Sequence, residues 1–283
     1  MNDVTVVIPM YNAAPTILRA LQSVLAQTTP PRRIVVADDC STDNSADVVR
    51  AANLPTVEMV RTERNGGIAV ARNRGAREAS TTWLAFIDAD DRWEPEFLER
   101  TLAAIERFGC DFGSAGGTRE RPDGSSRHVQ VRSVPGAGDA LDLTKDFWRV
   151  AMRFRPVHAS AVVVRRSLFE DVGGFWERMR TGEDTCLWVN LWLRGRFVFV
   201  NLPLVESAVV ETGVSAQGLS YHALLLSATC MLAGLARAVR ARRPGTRWFV
   251  VFAARRLINL HTRWLLGTLR RRGRRPAARA PGA

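Results

Sequence analysis

The sequence predicts an α/β fold: a mostly parallel sheet flanked by helices, followed by a C-terminal helical extension. Two observations carry this. Through roughly the first two-thirds of the chain, short apolar runs alternate with stretches of helical periodicity, the pattern of a parallel sheet with right-handed crossovers. Beyond Glu211 there is no acidic residue and no lysine but 14 arginines, so residues 1–211 carry a net charge of −2 against +12 for the whole chain. A near-neutral body therefore carries a basic extension, and the partner such an extension suits is an anionic surface. At 283 residues and 46% hydrophobic content the chain can bury a large α/β core plus an appendage.

The elements follow in order. Val4 to Ile8 is a β-branched run ended by Pro9. Pro15 opens a helix at the favoured first-turn position, with Ile17, Leu21, Val24 and Leu25 at helical spacing. Residues 33–37 form a second strand, 45–52 a short helix and 57–60 a third strand. Asn65-Gly66-Gly67 turns the chain into a helix over 68–79. Trp83 to Ile87 is a buried strand, five apolar residues bounded by charge. Helices are expected over 96–108, 168–172 and 185–194, and strands over 159–164 and 197–201, the last stopped by Pro203. Residues 112–145, rich in Gly, Pro and charge and with weak strand signals, read as loops over one end of the sheet. Cys40, Cys110, Cys186 and Cys230 are scattered with no CxxC pair, which argues against a zinc site or disulfide framework and suits a reducing cytoplasm. The chain runs straight into a strand, with no signal peptide expected. No GxGxxG follows the first strand, which counts against a dinucleotide-binding domain.

The strand ends carry the chemistry. Asp88, Asp90 and Asp91 crowd one turn after the fourth strand, and their charges repel unless a cation joins them. A hard divalent ion takes such oxygen ligands and bridges carboxylate to phosphate. A solvated turn, with Asp90 or Asp91 capping the helix near Pro95, is the simpler reading of the run alone. Its company decides otherwise. Strand one ends in Pro9-Met10-Tyr11-Asn12 and strand two in Asp38-Asp39-x-Ser41-x-Asp43; Asn65-Gly66-Gly67 leads to Arg72-Asn73-x-Gly75. In a parallel sheet the strand ends share one edge, where open α/β sheets bind ligands. A later block pairs Gly173-Gly174-Phe175 with Gly182-Glu183-Asp184.

In order, spacing and strand context this set closely resembles the family 2 glycosyltransferases of GT-A fold, over residues 4 to about 210. The resemblance implies an inverting, nucleotide-sugar-dependent transferase using Mn²⁺ or Mg²⁺, with UDP as the default nucleotide. Pro9, Tyr11 and Asn12 would border the base, and Asp39 would accept a hydrogen bond from its N–H, with Asp38 as structural neighbour. Arg72 would lie near base or phosphates, or else form a surface salt bridge. Asp88 would face ribose and sugar, and Asp90 matches the metal position of the DxD motif. Asp184 matches the catalytic base, with Glu183 tuning it or binding acceptor; both can also cap the following helix. Asn73 orders a loop, Trp93 packs, and His158 is a structural histidine or touches the diphosphate.

By the same resemblance residues 1–215 form the transferase domain, 1–100 its nucleotide-sugar half and 101–215 its acceptor half. Residues 216–272 are the basic helical extension and 273–283 a disordered tail. Two departures stand out: Trp176 follows Gly-Gly-Phe where an acidic residue is usual, and no Gln-x-x-Arg-Trp follows Asp184. The second points to one or a few sugars added rather than polymer extrusion, onto a glycan or lipid-linked acceptor in cell-surface polysaccharide or glycolipid synthesis. The competing reading is a non-catalytic protein with a degenerate site. In the extension, the apolar run Ala223 to Ala236 is 14 residues, short of the roughly 20 needed to span a bilayer. Over 246–272 the arginines gather on one half of a helical wheel, with Phe249, Leu257, Leu260 and Trp264 on the other. That pattern fits an interfacial helix, giving peripheral contact through 219–275 with the anionic inner face of the cell membrane rather than with nucleic acid. The alternative is that these helices pack on the domain.

Overall fold

Strand β1 (Val4–Met10) is buried at every position, as a continuous Val/Ile run is when both faces of its sheet are covered. The molecule is described here by a computed structural model covering residues 3–120, 126–129, 138–152, 157–179, 182–207, 221–255 and 257–258. β1 pairs in parallel with β2 (Arg33–Asp38) and β4 (Trp83–Phe86), and β2 with β3 (Val57–Arg61). The remaining strands are β5 (Arg92–Trp93), β6 (Phe112–Glu120), β7 (Ser126–Val129), β8 (Ala140–Asp142), β9 (Val162–Arg165) and β10 (Phe197–Ser207). One ten-stranded sheet results, in the order β3-β2-β1-β4-β9-β6-β10-β5, with β7 beside β6 and β8 beside β10. It is mixed: the first four strands run in parallel, whereas β9 enters antiparallel between β4 and β6.

Among the described residues the helices are α1 (Ile17–Leu25), α2 (Ser45–Ala51), α3 (Ile68–Ala76), α4 (Phe97–Phe108), α5 (Phe147–Ala151), α6 (Arg166–Asp171), α7 (Glu183–Arg194) and α8 (Tyr221–Arg240), with a further helix, α9, over 246–255. The two-residue side-chain period divides the strands between two cores. Val4, Val6, Ile8, Ala85, Val163 and Val198 meet α1 and α4 on one face. Val7, Phe86, Val162, Val164, Phe197 and Phe199 meet α5 to α9 on the other.

Four expectations are corrected. Residues 112–145 are not only loops, because β6 is an interior strand beside β10 and β9. Its glycines serve close packing: a Cβ on Gly117 would lie 2.6 Å from the Val205 carbonyl oxygen, and one on Gly113 3.0 Å from Ile105. Pro203 does not stop the last strand either; β10 continues to Ser207 through register shifts around it, since a bulge needs no ladder hydrogen bond there. Cys186 and Cys230, 44 residues apart in sequence, form a disulfide joining α7 to α8, with Cα atoms 6.0 Å apart.

The fourth correction concerns the extension. Phe249 of α9 is fully buried, its ring 4.6 Å from Trp148 and 5.5 Å from Trp192. Gly234 of α8 brings that helix against Val189 and Phe249. The helices α8 and α9 thus pack on the domain, and the apolar side that the wheel assigned to lipid is, at Phe249, part of the core. Leu260, Trp264 and the tail 273–283 lie outside the described residues. Among the described residues no helix is long and apolar enough to cross a membrane.

Candidate active site

The C-terminal ends of β1, β2 and β4 lie on one edge because the three strands are parallel. At the end of β1, Pro9 is buried opposite Ala37, and Tyr11 stands 49% exposed beyond it. Asn12 adopts φ 49°, a left-handed conformation that asparagine tolerates. Its Oδ1 accepts from the backbone N–H of Thr42 at 2.8 Å, and its own N–H donates to Ser41 Oγ at 3.0 Å. Asn12 therefore clasps the loop after β2 to the end of β1.

The β2 carboxylates are buried with internal partners. Asp38 Oδ1 accepts from Ser41 N–H at 2.9 Å, and its Oδ2 lies 3.6 Å from Arg61 Nε. Asp39 Oδ1 accepts from Thr62 Oγ1 at 2.9 Å and Gly66 N–H at 3.0 Å, and Oδ2 from Gly67 N–H at 2.7 Å. Asp39 thus fixes the turn from which α3 starts. A carboxylate has about four lone-pair positions, so one on Oδ2 remains.

Arg72, on α3, is the centre of the arrangement. It is 2% exposed, and its fork donates at 2.6 Å to Asp88 Oδ1 and at 3.1 Å to Glu183 Oε1, over the Phe175 ring at 5.0 Å. The surface salt bridge does not describe it: it is a buried bracket between the end of β4 and the start of α7. Burial disfavours its charge, but Asp88 and Glu183 outweigh that and hold its pKa above the ordinary value. Burial also opposes the Asp88 charge, and Arg72, with help from His158, keeps this carboxylate below its usual range.

Asp88, Asp90 and Asp91 each offer an oxygen within 4.8 Å of the others. Burial and then the Asp88 charge raise the pKa of Asp90, and the same two causes push Asp91 up to about 8. Three carboxylates that offer hard oxygen donors so close together fit a divalent cation, which would compete with the protons that burial and crowding favour. Asp91 belongs to this cluster, 4% exposed, with His158 Nδ1 3.9 Å away. Ser160 Oγ accepts from Asp88 N–H at 3.1 Å, a support that nothing in the sequence marked.

The helix α7 begins at Glu183, two residues before its expected start, so Glu183 and Asp184 occupy its first turn, where the helix dipole favours anions. Gly182 precedes them at φ 82°, in the region where L side chains are strained. Glu183 turns inward, 8% exposed, and burial followed by the Asp184 charge raises it to about 7. Asp184 is half-buried, its Oδ1 accepting from Thr185 N–H at 2.6 Å, and its charge still reaches Arg72. The Gly173-Gly174-Phe175 loop is held by Asn73: its Nδ2 donates to the Phe175 carbonyl at 2.8 Å, and its Oδ1 accepts from Phe175 N–H at 2.9 Å. The carboxylate of this loop is Glu177, bonded to Asn73 and to Arg77 at 2.9 Å. Trp93 is buried, donating to the Ser160 carbonyl at 2.6 Å.

Comparison with known proteins agrees with this geometry. The profile of glycosyl transferase family 2 matches residues 5–177, more than half of the chain. TuaG of Bacillus subtilis (strain 168), named as a teichuronic acid biosynthesis glycosyltransferase, is 29% identical over 216 residues, 75% of this chain and 81% of its own length. ExoO of Rhizobium meliloti (strain 1021), named as a succinoglycan biosynthesis protein, is 33% identical over 189 residues, 65% of this chain and 54% of its own length. The S. aureus TarS fragment 1–349, crystallised with UDP-GlcNAc, superposes with a TM-score of 0.67 at 21% identity, over 82% of this chain and 66% of that one. TarS shares the fold. Strand ends bearing an acidic cluster, a second acidic pair at the start of α7 and the profile match lead to one conclusion: the chain belongs to the family 2 glycosyl transferases.

Proposed function

We propose that the protein transfers a sugar from a nucleoside-diphosphate donor, with UDP as the default nucleotide, to a glycan or lipid-linked acceptor with inversion, in cell-surface polysaccharide or glycolipid synthesis. The work is placed at the inner face of the cell membrane, which the basic extension contacts. The names of TuaG and ExoO support the polysaccharide setting, and the UDP-GlcNAc bound to TarS supports the donor class. The observation that carries the reading is the Arg72 bracket, which brings the first turn of α7 to the acidic cluster of β4.

The donor base lies between Tyr11 and the β2 edge, with Pro9 and Asn12 shaping its border and the open Oδ2 position of Asp39 accepting its N–H; Asp38 holds that loop. Asp88 faces the ribose and sugar. Asp90, with Asp88 and Asp91 beside it, would hold Mn²⁺ or Mg²⁺. Such a cation would supply Lewis-acid neutralisation of the diphosphate. Asp184 takes the proton from the acceptor hydroxyl as its oxygen attacks the anomeric carbon. Attack opposite the departing diphosphate inverts that carbon, and the nucleoside diphosphate leaves with the electrons of the broken bond. Glu183, tied to Arg72, sets the position from which Asp184 acts.

The test is a panel of nucleotide sugars, measured for binding and for release of nucleoside diphosphate, with and without Mn²⁺ or Mg²⁺, on wild type and Asp90→Ala. One donor bound in a metal-dependent way and lost in the variant is expected. Absence of binding to every donor, or binding indifferent to metal and to Asp90, would contradict the proposal.

A further inference from the structure

With Phe249 and Ala253 of α9 turned into the domain, the opposite side of that helix faces solvent. It carries Arg247, Val250, Val251, Ala254 and Arg255, all exposed, with Val250 at 43% and Val251 at 48%. At 3.6 residues per turn these positions fall within an arc of about 140°. On the preceding helix, Leu232 and Val239 are 58% and 59% exposed, and Arg240 at its end and Arg242 in the following turn are exposed as well. Exposed apolar side chains therefore lie among exposed arginines on both helices of the most basic part of the chain. The outer side of α9 is not the one a helical wheel selects, because the Phe249 side was taken up by Trp148 and Trp192.

We propose that this outer face of α9, centred on Val250 and Val251 and flanked by Arg247 and Arg255, docks on an anionic lipid bilayer. This rests on the membrane half of the function proposed above and names the surface that makes the contact. Charge selects the occupant. A second copy of the chain would set arginine against arginine, with no acidic residue anywhere after Glu211 to relieve the repulsion. A nucleic acid would meet the arginines but would leave the valines against phosphate and water. A headgroup layer satisfies both kinds of group, since apolar side chains enter the acyl boundary while guanidinium groups stay with lipid phosphates. The active site lies at the C-terminal edge of the sheet, on other elements, so docking and chemistry are separable by mutation.

The experiment is cosedimentation of the full chain with phosphatidylcholine vesicles that contain or lack phosphatidylglycerol, for wild type and the double variant Val250→Gln/Val251→Gln. Wild type is expected to bind only the anionic vesicles, and the double variant to bind them roughly tenfold or more weakly. Its melting temperature and donor hydrolysis should match wild type, because both valines are exposed. Failure of wild type to bind anionic vesicles would overturn the membrane half of the function itself. Equal binding by wild type and double variant would overturn only this face, moving the contact to the other arginines. A wild-type dimer that the variant converts to monomer, with vesicle binding unchanged, would make the face a contact between copies and overturn the proposal. Tighter binding to duplex DNA than to vesicles would do the same.

Discussion

Arg72 shows what a single side chain contributes here. A guanidinium that is 2% exposed and shared by two carboxylates joins residues 111 positions apart in the chain. Removing one partner of such a buried set leaves charge without compensation, which costs about 3–5 kcal/mol. Arg72→Met is therefore expected to lower stability by that order in chemical denaturation. Arg72→Lys should recover only part of it, because a point charge cannot fork to both acids. Glu183 and Asp91 make a second prediction. Burial raises them from 4.5 to about 7 and from 3.8 to about 8, so the folded protein holds protons there that the unfolded chain has released. Their contribution to stability is full below about pH 4 and is lost as pH rises toward 8. Asp88, shifted downward, acts in the opposite sense and only at more acidic pH. The metal-free protein should accordingly lose melting temperature between about pH 5 and pH 8. Added Mg²⁺ should raise it more near pH 8 than near pH 6, because a cation competes with the proton on Asp91. A melting temperature independent of pH and of Mg²⁺ would remove the cation from the cluster. The aspartates themselves were legible in sequence, not from the run alone but from its company with the motifs at the ends of the other strands. The Arg72 bracket was not, because only the fold brings Asp88 and Glu183 to either side of it.

At the scale of elements, the parts that periodicity reveals came through. The strands β1, β2, β3 and β4 and the helix α4 lie within a few residues of their expected bounds. What stayed hidden has a physical cause in each case. The sequence of β6, Phe-Gly-Ser-Ala-Gly-Gly-Thr, reads as a loop because its glycines are there to let β10 and Ile105 approach, not to turn the chain. The pairing of Cys186 with Cys230 has no sequence signature, because it depends on α8 lying against α7. Thiol alkylation of the unfolded, unreduced protein should therefore label Cys40 and Cys110 alone, the two cysteines without a bridge. Labelling of all four would show that α7 and α8 are held by packing only. The placement of Glu183 and Asp184 in the first turn of α7 is dipole-favoured, and it is compatible with the proposed role of Asp184 as base. The amphipathic pattern of α9 was visible, but a wheel does not tell which partner an apolar side has. In this fold the Phe249 side found the domain.

Among the described residues the molecule is one mixed sheet whose parallel half ends in the edge proposed to bind the donor and whose second half is braced by α8 and α9. These helices are structural before they are anything else. Phe249→Ala removes a fully buried ring from between Trp148 and Trp192 and should cost about 3–5 kcal/mol. A chain ending before α8 should fail to give a soluble fold, because Trp192 and Val189 would lose their cover. The acidic cluster of β4 and Asp184 of α7 are proposed to work as one inverting site. The measurement that separates this from other arrangements is time-resolved NMR of the sugar released by donor hydrolysis, for wild type and Asp184→Asn. The first anomer to appear should be the inverted one, and Asp184→Asn should slow its release by about 10²- to 10⁴-fold with donor binding intact. A first product of retained configuration, or turnover indifferent to Asp184, would contradict this arrangement.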